Sequence, residues 1–334
     1  MANTTKNEIL IQYWDKSVST LATRAVNKIS EPQQERHRLY ALLAMAATHY
    51  FWNGDKRGKN GRYPMNVPVT ANSSKYLKGD YLGHNILALA VDFDGHIIDF
   101  EMNHNLIYNS SAEHAEARLI KRIFSLASLA DTWKFEVSGH DQNDYNTFRD
   151  VSIYTTLESC SQCSGVMALA QVKEVIYLQT DNGMYLIGNI LRNLTQGTKL
   201  QAPNPIDGTE ISLPYFSQLN EAFDAFCKTV SESKPFFIPT DPNEKVDASK
   251  SVTSFLCTES AYRIFEAAKE ELGNYLSGKT PLRFPDYQPS RSVTNLHGKS
   301  ITTESTMTNK AVIKEIASFY SYIQINGRRA TPHR

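Results

Sequence analysis

The order of strand-like and helix-like segments predicts an α/β fold, a three-layer α/β/α sandwich with a mixed sheet. Between residues 33 and 240, short apolar runs typical of buried strands alternate with stretches of helical periodicity. Hydrophobic residues make up 41% of the chain and charged residues 21%, which is ordinary for a globular protein. At 334 residues, the chain is long enough for one large or two modest domains.

Helical patterns at both ends lie outside the alternating region, so we expect three parts. Residues 1–32 are predicted to form an N-terminal helical extension, residues 33–240 the α/β core, and residues 241–334 a C-terminal helical extension.

A polar insertion over residues 53–81 interrupts the core and contains a glycine-rich basic loop, 54–62. This loop has no Gly-Lys-Ser/Thr at the spacing of a phosphate-binding loop. A solvated loop is therefore the first interpretation and contact with phosphate the second.

Hydrophobic periodicity places the individual elements. The predicted helices cover residues 8–30, 33–51, 110–126, the segment after Cys160, 184–194, 216–230, 254–276 and 311–325. The predicted strands cover residues 85–91, 97–102, 135–137, 151–157, 175–178 and 236–238. Residues 175–178 are the expected fourth strand of the core sheet and residues 236–238 the candidate fifth. An Asp-Gly pair at 94–95 indicates a hairpin between the first two strands. Residues 201–214 are interpreted as a Pro/Gly-rich connection, and residues 279–308 as irregular.

Two short motifs lie at the centre of the chain, His114-Ala115-Glu116 and Cys160-Ser161-Gln162-Cys163. One His and two Cys are a soft nitrogen and sulfur ligand set that suits tetrahedral Zn²⁺. Three protein ligands leave a fourth position for water, which is typical of a catalytic zinc site. Glu116 lies two residues beyond the candidate ligand His114, where it can move protons at that water. Either motif alone is weak evidence, because a lone C-x-x-C also indicates a redox pair or half of a zinc knuckle.

Together and in this order, the motifs resemble those of the zinc-dependent cytidine-deaminase-like superfamily. The stretch 154–160, Tyr-Thr-Thr-Leu-Glu-Ser-Cys, is most similar to the tRNA adenosine deaminase branch. The resemblance implies a five-stranded sheet, and the helical connection after Leu178 favours a fifth strand parallel to the fourth. It also implies a Zn²⁺ cofactor and the hydrolysis of a C–N bond in a cyclic amidine, with Glu116 as general acid and base. The implied zinc ligands are His114, Cys160 and Cys163.

The same resemblance implies two contacts with the substrate. Asn103 lies eleven residues before His114, the spacing of an asparagine that meets the substrate sugar in the tRNA branch, and Asn105 is the alternative. Ala115, inside the first motif, is the second expected contact. A turn asparagine without any such role is the competing interpretation of Asn103.

One residue departs from the family pattern, because Ser159 stands where the family has proline. We expect Ser159 to act as the helix N-cap and Gln162 to complete a capping box. The pair Ser110 and Glu113 is expected to begin the earlier helix in the same way.

The charge balance and the cysteine content bear on the binding partners and on the cellular compartment that the sequence predicts. Lys plus Arg and Asp plus Glu number 35 each, so the chain as a whole has no basic footprint for nucleic acid. Four Cys do not make a disulfide framework, and Cys227 and Cys257 are expected to be buried core thiols. The N-terminal residues do not resemble a signal peptide, and no apolar run approaches a membrane span. We therefore expect a soluble, cytoplasmic protein without a membrane partner.

Three functions compete at this point. The first is a deaminase of adenine, cytosine or guanine in a nucleoside, nucleotide or nucleic acid such as tRNA, with a homodimer as the candidate assembly. The second is a non-catalytic zinc-stabilised module that binds nucleic acid or protein, which Glu116 disfavours because a structural zinc needs no general acid or base. The third is a redox C-x-x-C protein, in which His-x-Glu has no role.

Two kinds of observation bear on the size of the substrate. The neutral total charge and the two extensions favour a small substrate, whereas local basic residues favour a polynucleotide. These basic residues are Lys56, Arg57, Lys59, Arg62, Arg328 and Arg329.

Overall fold

A computed structural model describes residues 13, 16–52, 61–62, 83–105, 108–130, 148–184, 186–198, 200–231, 238–239, 250–294 and 299–326. Within these residues the helices are α1 (Val18–Ala22), α2 (Glu31–Tyr50), α3 (Ala115–Ala130), α4 (Ser161–Leu169), α5 (Ile187–Thr195), α6 (Pro214–Ser231), α7 (Val252–Phe255), α8 (Glu259–Leu276) and α9 (Asn309–Asn326). The strands are β1 (Gly61–Arg62), β2 (Leu87–Val91), β3 (Ile97–Met102), β4 (Ser152–Thr155), β5 (Glu174–Tyr177), β6 (Asn204–Asp207), β7 (Ile238–Pro239), β8 (Ser290–Thr294) and β9 (Ser300–Glu304).

A mixed five-stranded sheet with the strand order β3-β2-β4-β5-β6 forms the centre of the molecule. Strand β2 is antiparallel to both β3 and β4, whereas β4, β5 and β6 run parallel. Every residue of β2 and β4 is buried, so both faces of the sheet are covered. Helices α2 and α3 both pack against these two strands. The predicted α/β class, the five strands and the parallel fifth strand are confirmed.

The first four strands of the sheet lie where the sequence predicts them, and the hairpin between β2 and β3 uses the expected Asp-Gly pair. Gly95 has a φ of 107°, and a Cβ there would lie 2.3 Å from Arg36 Nη2, so a side chain is excluded. The Asp92 carboxylate accepts the backbone N–H groups of Gly95 and His96 at 2.7 and 2.8 Å, which fixes the turn. The strand predicted at 135–137 lies outside the described residues.

The position predicted for the fifth strand, residues 236–238, is wrong. Strand β6 takes that place in the sheet, and Ile238 instead belongs to β7, which pairs with β1 in a separate two-stranded sheet. Residues 236–237 lie outside the described part of the chain. Pro205 is the residue of β6 that faces Val175, and proline is tolerated there because an edge strand has a neighbour on one side only. Because proline is rare inside strands, the sequence pattern does not indicate a strand at this position.

The helix predicted over residues 8–30 is largely wrong where it is described. Only α1 is helical, and residues 23–30 are not helical. Asn27 donates through Nδ2 to the Pro205 carbonyl at 3.1 Å and accepts from Asn204 Nδ2 at 2.7 Å. Glu210 accepts the Asn27 backbone N–H at 2.7 Å and forms an ion pair with Arg24. These partners hold the segment along β6 and override its helical periodicity.

The C-terminal region packs against the core through α2. Helix α8 contacts α2 and α6, and α9 contacts α2 and β3. The helix predicted over 254–276 is divided in two, because Thr258 Oγ1 accepts the Ala261 N–H at 3.2 Å and caps a new helix, α8. The segment 279–308, predicted to be irregular, contains the antiparallel pair β8 and β9. The three-part division of the chain at residues 32/33 and 240/241 stays a prediction.

Among the helices in the described ranges, none has both the length and the apolar character needed to cross a bilayer.

Candidate metal centre

Two helix N-termini meet the carboxyl end of β4. Helix α4 begins directly after the segment that follows β4, with Cys160 as its N-cap residue. Helix α3 begins at Ala115, so His114 lies immediately before it and Glu116 lies in its first turn. The two helices pack against each other. Because a helix N-terminus carries a partial positive charge, this convergence favours anionic side chains such as thiolates and carboxylates.

The structure brings His114, Cys160 and Cys163 together as the His/Cys/Cys cluster. Their candidate ligand atoms all lie within 4.8 Å of one another. His114 Nδ1 lies 3.2 Å from Cys160 Sγ and 3.6 Å from Cys163 Sγ. Tetrahedral zinc bonds of ~2.1 Å to nitrogen and ~2.3 Å to sulfur separate the two atoms by roughly 3.6 Å. The donor set and its spacing therefore fit a zinc ion.

The two capping boxes expected from the sequence are wrong. At α4, Cys160 Sγ accepts the Cys163 N–H at 3.5 Å in the place predicted for Ser159, and Gln162 donates to the Ala112 carbonyl at 2.9 Å. Ser159 turns its hydroxyl towards Glu116 instead.

The N-terminus of α3 departs from the prediction in a similar way. The Glu113 carboxylate, expected to close a capping box with Ser110, forms an ion pair with Arg118 at 2.6 Å. Helix α3 begins at Ala115, later than the capping box predicts, although still beside the cluster.

The two cysteines differ in acidity. Hydrogen bonds from Cys163 and His114 lower the pKa of Cys160 to about 4. The hydrogen bond to Cys160, together with burial and the neighbouring Glu116 carboxylate, raises the pKa of Cys163. The hydrogen bond to Cys160 also raises the pKa of His114. Without a metal ion, the Cys160 thiol is therefore much more acidic than the Cys163 thiol.

Glu116 is 3% exposed and lies against the cluster. Its Oε1 atom accepts hydrogen bonds from Thr155 Oγ1 at 3.2 Å and from Ser159 Oγ at 3.1 Å. Its Oε2 atom lies 3.3 Å from Cys163 Sγ. Burial raises the pKa of Glu116, and the Cys160 charge raises it further. The carboxylate is thus placed at the cluster and is easier to protonate than an exposed glutamate.

The two substrate contacts expected from the sequence occupy different positions. Ala115 is fully buried as the first residue of α3, and its N–H is one of those that a helix end cannot satisfy internally. Asn103 is 1% exposed, and its Oδ1 accepts the backbone N–H groups of His84 and Asn105 at 3.3 and 3.0 Å. The alternative, Asn105, bonds His84 Nε2 through Nδ2 at 3.1 Å, and its buried Oδ1 has no hydrogen-bond partner among the described residues.

Sequence reasoning missed two further acidic side chains close to the cluster, Glu158 and Asp181. Glu158 Oε2 accepts the Asp181 N–H at 3.0 Å, and burial raises the pKa of Glu158 to about 7. Burial also raises the pKa of Asp181, with the Cys160 charge adding to the effect. Both residues follow the carboxyl ends of neighbouring parallel strands, β4 and β5, where binding residues of α/β sheets gather. That position in the strand pattern is the signal that could have found them.

Several other sequence expectations concern positions away from the cluster. Cys257 is buried as predicted, whereas Cys227 is only partly buried. Lys56, Arg57, Lys59, Arg328 and Arg329 lie outside the described residues, and only the backbone of Arg62 is described.

Comparison with known proteins gives one family match. Residues 63–179 match the zinc-binding region of cytidine and deoxycytidylate deaminases. That segment contains His114, Glu116, Cys160 and Cys163. No curated protein matches the chain.

Solved structures of deaminases are similar to part of the chain. One, from studies of A-to-I editing by tRNA:A34 deaminases at the wobble position of transfer RNA, shares 22% identity over 37% of this chain and 82% of its own, with a TM-score of 0.28. A guanine deaminase from Nitrosomonas europaea shares 16% identity over 39% of this chain and 71% of its own, with a TM-score of 0.27. A guanine deaminase from Bacillus subtilis shares 17% identity over 57% of this chain and 82% of its own, with a TM-score of 0.23.

Proposed function

We propose that this chain, which belongs to the cytidine-deaminase-like superfamily through its zinc-binding region, is a zinc-dependent hydrolytic deaminase of a nucleobase. One observation carries the proposal: a buried glutamate lies against a cluster of one imidazole and two cysteine sulfurs. A purely structural zinc site has no use for such a glutamate, whereas hydrolysis of a C–N bond requires several proton transfers. The reaction replaces an exocyclic amino group with oxygen from water and releases ammonia.

His114, Cys160 and Cys163 are proposed to hold the metal ion through Nδ1 and two sulfurs. Zinc bound there supplies a Lewis acid that lowers the pKa of a water molecule from about 15.7 to about 7. Metal binding requires deprotonated ligands, and Cys160 is already acidic in the metal-free protein. Three protein ligands leave one position for water or substrate, as in catalytic zinc sites.

Glu116 is proposed to carry protons in the reaction. Its carboxylate takes a proton from water, delivers a proton to a ring nitrogen of the base, and returns a proton to the departing amino group. General acid and base groups work best when their pKa lies near the working pH. Burial moves the pKa of Glu116 in that direction.

The substrate is proposed to present adenine, cytosine or guanine, either as a small nucleoside or nucleotide or within a nucleic acid such as tRNA. Asn103 and Ala115 are the proposed contacts. Because Asn103 Oδ1 already accepts two backbone N–H groups, its Nδ2 is the group proposed to donate to the sugar. At Ala115, the backbone N–H at the start of α3 is the corresponding donor. A homodimer and a cytoplasmic location complete the proposal.

The test is ammonia release by zinc-loaded protein from a panel of free bases, nucleosides, nucleotides and RNAs. We expect one class of substrate to give ammonia and the oxo product in equal amounts, and a chelator to abolish both. Zinc binding without ammonia from any of them would contradict the enzyme and favour the non-catalytic module. Measuring RNA binding across a series of salt concentrations also tests whether the substrate is a nucleic acid or a small molecule. Contacts with phosphates make the affinity for RNA fall steeply as the salt concentration rises.

A further inference from the structure

The two oxygens of the Glu116 carboxylate have different surroundings. Two hydroxyl groups, those of Thr155 and Ser159, both donate to Oε1. Oε2 points the other way, towards the His/Cys/Cys cluster, and lies 3.3 Å from Cys163 Sγ. One end of the carboxylate is therefore anchored on the protein and the other end faces the metal ligands.

Both hydroxyl donors are sheltered from water. Thr155 is fully buried, and Ser159 is 4% exposed. A buried hydroxyl that donates to a buried carboxylate forms a charge-assisted hydrogen bond, which is stronger than a hydrogen bond between neutral groups. Thr155 is the last residue of β4, and Ser159 lies directly before the N-cap residue of α4, so the donors come from the end of the strand and from the loop that leads into the helix.

Ser159 supplies a donor that the resembling family pattern does not contain. Proline has neither a hydroxyl nor an N–H, so it cannot donate to a carboxylate from this position. The structure also removes the capping role that the sequence suggested for this serine, since Cys160 caps α4. The hydroxyl of Ser159 is thus directed to Glu116, 43 residues earlier in the chain.

From this geometry we propose that Ser159 is a positioning residue, which together with Thr155 fixes Oε1 of Glu116 and leaves Oε2 as the oxygen that exchanges protons at the metal centre. The inference rests on the proposed function in one respect, that Glu116 transfers protons. Ser159 is neither a proposed metal ligand nor a proposed substrate contact. Its contribution is to hold a single orientation of the carboxylate, because a misplaced group lowers the rate without weakening binding.

The test compares zinc-loaded wild-type protein with Ser159→Ala, Ser159→Thr and Thr155→Val. A hydrogen bond to a charged group corresponds to a factor of roughly 10 to 100 in a rate. We expect Ser159→Ala to lower kcat about 10- to 100-fold while KM changes less than about twofold and zinc content stays the same. Ser159→Thr, which keeps a hydroxyl, should recover most of kcat. Thr155→Val removes the other hydroxyl at nearly constant volume and should give the same pattern, which keeps the test valid if Ser159→Ala does not fold.

Ser164→Ala is the matched control, since Ser164 is a buried serine at the start of α4 and donates to the Ser159 carbonyl at 3.4 Å rather than to Glu116. We expect its kcat to equal that of the wild type. An unchanged kcat in both Ser159→Ala and Thr155→Val, or a loss confined to KM, would overturn the positioning role.

A second measurement separates this inference from the proposed function, because it requires no turnover. Crystal structures of the zinc-loaded variants report the Glu116 side chain directly. We expect one carboxylate orientation in the wild type and in Ser159→Thr, and a rotated or divided orientation in Ser159→Ala. An identical, single orientation in Ser159→Ala would refute the inference, whether or not the protein releases ammonia. Absence of ammonia in the wild type with a displaced Glu116 in Ser159→Ala would instead refute only the proposed function.

Discussion

Two of the regions that bury charged side chains, the contact between α2 and the C-terminal region and the metal centre, surround those charges differently. At the contact between α2 and the C-terminal region, Glu35 accepts backbone N–H groups from Arg283 and Phe284 at 2.7 and 2.9 Å. Its neighbour Arg36 donates to the carbonyls of Met307 and Asp94 at 2.9 and 2.7 Å. At the metal centre, by contrast, Glu116 accepts side-chain hydrogen bonds from hydroxyl and thiol groups in addition to a backbone one, and Cys160 adds a second negative charge nearby.

The different surroundings indicate a structural role for Glu35 and Arg36 and a chemical role for Glu116. Glu35 and Arg36 are adjacent, opposite in charge and bonded to the protein itself, so they stabilise a tertiary contact. At the metal centre, burial and neighbouring charge raise the pKa of Glu116, which means that its negative form is poorly compensated. A bound cation would supply that compensation. Strongly perturbed acids gathered in one place are a mark of functional sites.

The largest effect is expected at Glu116. Glu116→Gln keeps the size of the side chain but removes the proton carrier, so ammonia release should fall by about 10²- to 10⁴-fold. Zinc content and the free energy of unfolding should change little, because Glu116 is not a proposed ligand. Steady-state kinetics with metal analysis on the same sample checks this. Turnover close to the wild-type rate would show that another group moves the protons.

The next largest effect is expected at Glu35, in the contact between α2 and the C-terminal region. Glu35→Ala leaves the backbone N–H groups of Arg283 and Phe284 without their acceptor, and we expect a loss of about 3 kcal/mol in the free energy of unfolding. Urea unfolding measures the change. Zinc content and KM should be preserved in the folded fraction, and a loss of zinc would mean that the two regions are not independent.

A smaller, pH-dependent effect is expected from His37, which is buried with Nδ1 2.8 Å from Tyr154 Oη. Burial lowers the pKa of His37 to about 4, from 6.5. The unfolded chain therefore takes up a proton before the folded protein does, and stability falls as the pH drops from 6.5 towards 4. Between about pH 7.5 and pH 5 the cost is about 2 kcal/mol.

The check compares urea unfolding of the wild type and His37→Gln at both pH values. The wild type should lose about 2 kcal/mol more than the variant on acidification, and the two should show the same change between about pH 7.5 and pH 8.5. Equal losses on acidification would show that His37 is not the group responsible.

The smallest effect is expected at Arg283, and it serves as the control for Glu35. Its backbone N–H bonds to Glu35, but its side chain forms an ion pair with Glu31 at 2.9 Å in which both partners are largely exposed. Arg283→Ala keeps the backbone bond and should cost less than about 1 kcal/mol in urea unfolding. A cost equal to that of Glu35→Ala would assign the stabilisation to the surface pair.

The sequence predicted those features that depend on neighbouring residues. His114 and Glu116 lie at one helix start and Cys160 and Cys163 at another, so short motifs and helical periodicity located them. The features it missed depend on distant partners. Ser159 donates to a glutamate 43 residues away rather than capping its own helix, and Asn27 is held by β6, 178 residues later. Nothing within a local window distinguishes such a serine from a cap, or such a segment from a helix.

The most direct test of a metal centre at the His/Cys/Cys cluster is the zinc content of three proteins purified in parallel without oxygen. We predict about one zinc ion per chain in the wild type and in Cys227→Ser, which alters a cysteine outside the cluster. Cys160→Ala should retain less than about a tenth of that zinc, because the site loses one of its three protein ligands. Full zinc occupancy in Cys160→Ala, or equal loss in Cys227→Ser, would contradict the assignment.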